Sequence, residues 1–326
     1  MRVGIIGAGH IAGKICRTLE YVSGIDCLAV GSRTREKAEA FAAEFGIPRA
    51  YGSYGELLDD PDMDLVYVAT PHSHHFDVTV EAIRKGKPCL VEKAFMANAA
   101  QTKTVLDLAK ERKVFVAEAM WTRYQPMRNI INRLISYGRI GRIRQISATL
   151  SYSIEHKERV MKRELCGGAL LDLGLYPLNF VRMVCGNPIK EIQSQCILSD
   201  TDVDLTESIT MVLEGGIMAN IQSSACCAGY NTAVVAGSEG SIVIDNVNNP
   251  RQIRIYAIGG ILKEEIYAPD CISGYEYEFE ACRDALSQGL IEPPQMPHSE
   301  TLYLMELMDS LRKEWGVRYP MDGQES

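Results

Sequence analysis

The turn Gly7-Ala8-Gly9-His10-Ile11-Ala12 constrains this chain more than any other segment, because it joins an apolar run, Val3 to Ile6, directly to an amphipathic stretch. The run reads as a buried strand, and Ile11, Ile15 and Leu19 recur at helical spacing. A turn of this kind brings bare backbone up to a pyrophosphate and aims the first N–H groups of a helix, here those of His10 and Ile11, at it. Gly7 supplies the sharp turn, Gly9 the close approach, and Ala12 the small side chain where helix and strand must pack closely. Glycine-rich turns also occur for structural reasons alone, but a strand before this one and a helix after it favour a dinucleotide.

A second apolar run closes on Gly31-Ser32-Arg33-Thr34-Arg35, with Lys37 one turn further on. An NAD enzyme usually places Asp or Glu here, against the ribose 2′-hydroxyl. A guanidinium fork suits a 2′-phosphate instead, so Ser32, Arg33, Thr34 and Lys37 predict NADP in preference to NAD. A solvated basic helix start would account for the charges but not for the missing carboxylate.

The 326 residues are 46% hydrophobic and 23% charged, ordinary globular material for two domains. A net charge of −8 argues against broad binding to nucleic acid or to anionic membrane. No apolar stretch reaches the roughly 18 residues that span a bilayer, and Met1-Arg2 runs straight into the first strand, so a cytoplasmic protein is expected. Ten scattered cysteines without a CxxC read as reduced core residues, not as a disulfide or zinc framework.

Strands at Leu65 to Ala69, Cys89 to Val91 and Val114 to Ala117 alternate with helices at Phe76 to Arg84 and Asn98 to Glu111. Such alternation predicts a parallel sheet covered on both faces, with ligands beyond the carboxyl ends of its strands. After a linking helix, Pro126 to Ser136, strand-like runs follow one another at Ile143 to Tyr152, Glu191 to Leu198, Ser208 to Leu213, Ile217 to Ser223, Asn231 to Ala236 and Ser241 to Asp245. Glu214-Gly215-Gly216 and Gly237 to Gly240 are hairpin signals. Helices are expected at Ala169 to Val184, Tyr275 to Leu286 and Ser299 to Lys313. The expected architecture is α/β: a dinucleotide-binding domain over 1–120, then an α+β domain over 121–326. The second has a large, mostly antiparallel open sheet, helices on one face, and the other face available to a partner subunit.

Three further clusters could carry chemistry. Glu92-Lys93 ends a buried strand where nicotinamide would lie, so Lys93 could polarise a substrate oxygen; an ordinary ion pair at a strand end is the plainer reading. Asp172 and Tyr176 are four apart on a helix with Gly174 between them, which suggests close approach of another group, although the helix alone would pass for core. His72, His74 and His75 occupy one turn with no Cys or carboxylate cluster, so no metal is expected. His72 and His75 are placed along the cofactor and substrate cleft, following Thr70 and Pro71, with His74 solvated. Trp121, Arg123 and Tyr124 are placed on the substrate side, with Trp121 alternatively covering a domain junction, and the shape of the pocket depends on how Trp121, Tyr152, Arg144 and the segment near Tyr275 meet.

Together Gly7 to Ala12, Ala69-Thr70-Pro71-His72 with His75, Glu92-Lys93 and Gly168 to Tyr176 resemble the Gfo/Idh/MocA oxidoreductases over nearly the whole chain. Glu118 to Arg123 and a tyrosine at 176 resemble the branch of dimeric dihydrodiol dehydrogenases, which oxidise trans-dihydrodiols or sugars such as xylose with NADP. The resemblance implies a Rossmann domain and a homodimer. It also implies catalysis by Lys93 and Tyr176, with Asp172 orienting substrate hydroxyls and Glu92 beside the cofactor. Family members usually have proline after the Glu-Lys pair, where this chain has Ala94. Two other functions belong to the same fold: a hydrolase or lyase that retains its dinucleotide, and a non-catalytic dinucleotide sensor.

Overall fold

The computed structural model describes residues 1–323. They form two compact units, one of Met1–Tyr124, Cys271–Glu306 and the described residues from Met321, the other of Gln125–Asp270 and Leu307–Pro320.

In the first unit, β1 (Arg2–Ile6), β2 (Asp26–Gly31), β3 (Arg49–Tyr51), β4 (Leu65–Val68), β5 (Cys89–Glu92) and β6 (Val116–Ala119) form a parallel sheet in the order β3-β2-β1-β4-β5-β6. The crossovers carry α1 (His10–Leu19), α2 (Arg35–Phe45), α3 (Tyr54–Leu58), α4 (His75–Arg84) and α5 (Ala99–Arg112). The strands are apolar throughout because both faces are buried. Val3, Ile5, Leu65, Tyr67 and Leu90 pack into one layer, and Ile6, Val66, Val68 and Val91 into the other, a strict period of two. The order reverses at β1 and β4, the switch point at which such sheets take their ligands.

The second unit is built on a sheet in the order β14-β13-β12-β11-β7-β10-β9-β8. Its strands are β7 (Ile143–Ser151), β8 (Ile189–Leu198), β9 (Asp204–Leu213), β10 (Ile217–Ser224), β11 (Ala233–Gly237), β12 (Gly240–Ile244), β13 (Gln252–Ala257) and β14 (Ile261–Tyr267). All neighbours run antiparallel except β7 and β10. Helices α6 (Pro126–Ser136), α7 (Glu158–Met161) and α8 (Leu175–Cys185) belong to this unit, and α8 packs on β7 and β10 with α6 against it. Ile146, Ala148, Ile209, Ile221 and Val235 point into the covered face. The register places Arg254, Val243, Val234, Ser147, Asn220 and Thr210 in one row across the opposite face, where Met218 and Leu262 are exposed.

The expected elements form, with differences that have local causes. Lys113 at φ 55° closes α5 and returns its N–H to the helix, so the chain enters the sheet at Val116 and not at Val114. The segment expected to be one helix from Ala169 begins with a π-helical turn, Leu170–Gly174, before α8. Strands β3, β13 and β14 and the short helices α3 and α7 lie outside the elements the sequence predicts. The first unit runs to Tyr124 and takes in a second stretch, Cys271–Glu306. Phe279, Cys282 and Ala285, on α9 (Glu276–Ser287), are buried in the same apolar layer as Val3 and Ile5, and α10 (His298–Trp315) sends its His298 side chain to the Val116 carbonyl at 2.8 Å. Among the described residues no helix is long and apolar enough to cross a membrane.

Candidate active site

At the carboxyl end of β1 the chain turns through Gly7 at φ +104°, where an added Cβ would lie 2.8 Å from the Ala69 carbonyl oxygen. Only glycine fits there. Gly9 and His10 are exposed, and a Cβ at Gly9 would meet nothing within 4 Å. Gly9 is the N-cap of α1 with no side chain capping it, and no acid stands in the first turn, so this end of the helix is electrostatically prepared for an anion. At the end of β4 the Thr70 hydroxyl is buried without a hydrogen-bond partner among the described residues. A glycine that must be glycine, an open backbone and an orphaned hydroxyl fit a dinucleotide.

At the end of β2, Ser32 is buried while Arg33, Thr34 and Lys37 are exposed. Thr34 caps α2 by accepting the Lys37 N–H at 3.3 Å. Arg35 is committed to Glu56, at 3.1 Å. Arg33 pairs with no carboxylate among the described residues.

Lys93 follows β5 and is half-buried; its carbonyl lies 3.2 Å from His72 Nε2, and the Lys93–Ala94 peptide is cis. The neighbouring Glu92 carboxylate accepts the Tyr67 phenol. His75 does not line a cleft. It is fully buried, with Nε2 2.8 Å from the Thr70 carbonyl and Nδ1 3.1 Å from those of Ala94 and Phe95, so it ties the loop after β4 to the loop after β5. Burial lowers its pKa. Arg123 is buried as well, and it donates to Glu300 at 2.9 Å. Trp121 stacks on Tyr275 with ring centroids 4.4 Å apart, and the Tyr124 hydroxyl donates to the Glu118 carbonyl at 2.7 Å.

In the second unit Asp172 sits within the π-helical turn and Tyr176 in the first turn of α8, both nearly buried. Arg159 reaches Asp172 at 3.0 Å, a partner that nothing in the sequence announces. The reason for Gly174 is visible: a Cβ there would lie 2.4 Å from a Glu207 carboxyl oxygen. Among the described residues no cluster of His, Cys, Asp or Glu is arranged to hold a metal.

A parallel sheet with a glycine cradle at its switch point and a lysine two strands away defines a dinucleotide-dependent oxidoreductase. Residues 1–120 match the model of the oxidoreductase family with an NAD-binding Rossmann fold, and residues 130–243 match the GFO/IDH/MocA C-terminal domain. The chain belongs to this family, and it is an NAD(P)-dependent dehydrogenase. It is 32% identical to trans-1,2-dihydrobenzene-1,2-diol dehydrogenase of Mus musculus over 99% of both chains. It is 34% identical to the enzyme of that name from Xenopus tropicalis, over 97% of this chain and 98% of that one. Its structure is similar to that of KijD10, a 3-ketoreductase from Actinomadura kijaniata in complex with NADP and TDP-benzene, with a TM-score of 0.87 at 25% identity, over 96% of this chain and 97% of that one. Aldose-aldose oxidoreductase from Caulobacter crescentus shares the fold, with a TM-score of 0.88 at 23% identity over 97% of each chain.

Proposed function

We propose that this enzyme uses NADP to interconvert a secondary or anomeric hydroxyl and its carbonyl on a sugar, polyol or trans-dihydrodiol. One observation carries the reading. Gly7 and Lys93 end β1 and β5 of the same sheet, with the Thr70–His72 turn ending β4 between them, so one edge offers both a pyrophosphate cradle and a cationic side chain. The identities to the dihydrodiol dehydrogenases and the NADP in the KijD10 complex support the substrate class and the cofactor.

When bound, NADP supplies the nicotinamide C4 that takes the hydride from the carbinol carbon or returns it. The chain supplies the rest. Arg33, with Ser32, Thr34 and Lys37, holds the 2′-phosphate, and Gly7, Gly9, His10 and Ile11 hold the pyrophosphate through backbone. Thr70, Pro71, His72 and Glu92 shape the nicotinamide end. In oxidation Tyr176, as a phenolate stabilised by the Lys93 ammonium, accepts the proton of the substrate hydroxyl and becomes the phenol, and Asp172 orients the substrate's other hydroxyls. Trp121 and Tyr275 form an aromatic wall. Reduction reverses both transfers. The open face of the second sheet, where Val243, Val234, Ser147, Asn220 and Thr210 share a row and Met218 and Leu262 are exposed, suits a second copy of the chain, so the enzyme is a homodimer in this reading.

The test is reduction of NADP⁺ and NAD⁺ across aldoses, inositols and trans-cyclohexanediol or dihydrodiols. Turnover with NADP⁺ on one of these classes supports the reading; tight NADP binding with silence across the panel rejects it.

A further inference from the structure

We propose that Asp204 and Glu207, on β9, are positioning residues for the reaction: they bracket the π-helical turn Leu170–Gly174 and thereby set Asp172 and Tyr176. The inference rests on the catalytic reading of those two side chains. A π turn is a rare departure from the α-helix and needs a local cause. Here each end of it meets a buried carboxyl. The Leu170 N–H donates to Asp204 Oδ2 at 2.5 Å, and just before it an added Cβ on Gly168, at φ +119°, would lie 2.3 Å from Asp204 Oδ1. At the other end, a Cβ on Gly174 would lie 2.4 Å from Glu207 Oε1 and 3.0 Å from Ser223 Oγ. Glu207 and Ser223 are cross-strand partners on β9 and β10, and the hydroxyl donates to Glu207 Oε1 at 2.5 Å.

Asp204 and Glu207 are 0% and 1% exposed, so neither is open to substrate. Burial raises the pKa of both. Asp204 has the Leu170 N–H and the nearby Arg312 guanidinium to steady a negative charge, whereas among the described residues Glu207 has only the Ser223 hydroxyl and faces the charge of Asp204. The proton of the pair therefore rests on Glu207. A neutral carboxyl can be replaced by an amide of the same shape, so Glu207→Gln preserves what the turn feels and Glu207→Ala does not. Gly174→Ala works from the opposite side, driving a methyl group into the carboxyl.

The experiment measures thermal midpoint, NADP Kd, kcat and substrate KM for Glu207→Ala, Glu207→Gln and Gly174→Ala, with Tyr176→Phe alongside. A small displacement of catalytic groups costs about 10²-fold in rate. Glu207→Ala and Gly174→Ala are expected to lose kcat by about this factor with NADP Kd unchanged, and Glu207→Gln to recover most of it. If Glu207→Ala does not fold, Gly174→Ala carries the test. A folded Gly174→Ala with wild-type kcat and KM, beside an inactive Tyr176→Phe, overturns the positioning role. Full activity in Tyr176→Phe instead overturns the catalytic reading beneath it.

Discussion

Arg159 Nη1 and Asp172 Oδ2 stand 3.0 Å apart, an ion pair between a side chain 42% exposed and one 7% exposed. Removing the guanidinium leaves a nearly buried carboxylate without this charged partner. Because one end is open to solvent and salt, the pair contributes on the order of 1 kcal/mol, about a fivefold to tenfold effect on a rate. Arg159→Gln should lower kcat/KM by that factor, and the difference from wild type should shrink as salt is raised. Measuring kcat/KM for both proteins across a salt series decides it; identical values at low salt would detach Arg159 from the site.

Lys93→Met should keep the fold and NADP affinity, since the proposed reading puts the pyrophosphate and 2′-phosphate on other residues, and lose kcat. Deleting one preorganised electrostatic group costs about 10² to 10³ in turnover. Binding titration with NADP and steady-state kinetics on the same preparation separate the two effects. A fully active variant would remove Lys93 from the mechanism.

Legibility in the sequence followed the range of the forces involved. Pro126 to Ser136 was read to the residue because its proline start and apolar spacing are local. The parallel sheet was legible because its strands are buried on both faces and so are continuously apolar. β14 was missed because it is an exposed edge, ILKEEIY, with little apolar alternation to signal it. The π turn was beyond local reading, since its brackets, Asp204 and Glu207, lie about thirty residues downstream of it on another element. The partners of His75 and Arg123 were beyond local reading for the same reason: they are the carbonyls of Thr70, Ala94 and Phe95 in one case and Glu300 in the other. A histidine or arginine in a motif does not announce its partners.

Arg33→Ala tests the cofactor choice. A charge-assisted hydrogen bond to a phosphate contributes about 1.5–3 kcal/mol, roughly tenfold to 10²-fold in affinity. The KM for NADP⁺ should rise by about that factor while the KM for NAD⁺, which has no 2′-phosphate, stays put. Thr34 is not a clean substitute, because its hydroxyl caps α2 and its loss would disturb the helix as well. An equal loss for both dinucleotides would show that Arg33 does not read the 2′-phosphate.

Glu118 provides a test on stability. It is fully buried at the end of β6, with one carboxyl oxygen unpartnered, and burial pushes its pKa up from 4.5 to about 7 despite the nearby Thr301 hydroxyl and Arg123. In the folded protein it therefore keeps a proton that the unfolded chain gives up above pH 4.5. The folded state binds more protons across that interval, so this group makes the protein less stable as pH rises from 4.5 to about 7, with a constant penalty beyond. The full penalty is on the order of 3 kcal/mol. Glu118→Gln keeps the shape and removes the titration. It should match or fall slightly below wild type at about pH 5 and exceed it by about 1–3 kcal/mol at about pH 8, measured by urea unfolding at both. A difference between the two proteins that does not change with pH would mean that Glu118 ionises in the fold as readily as in the unfolded chain, with Arg123 close enough to hold its charge.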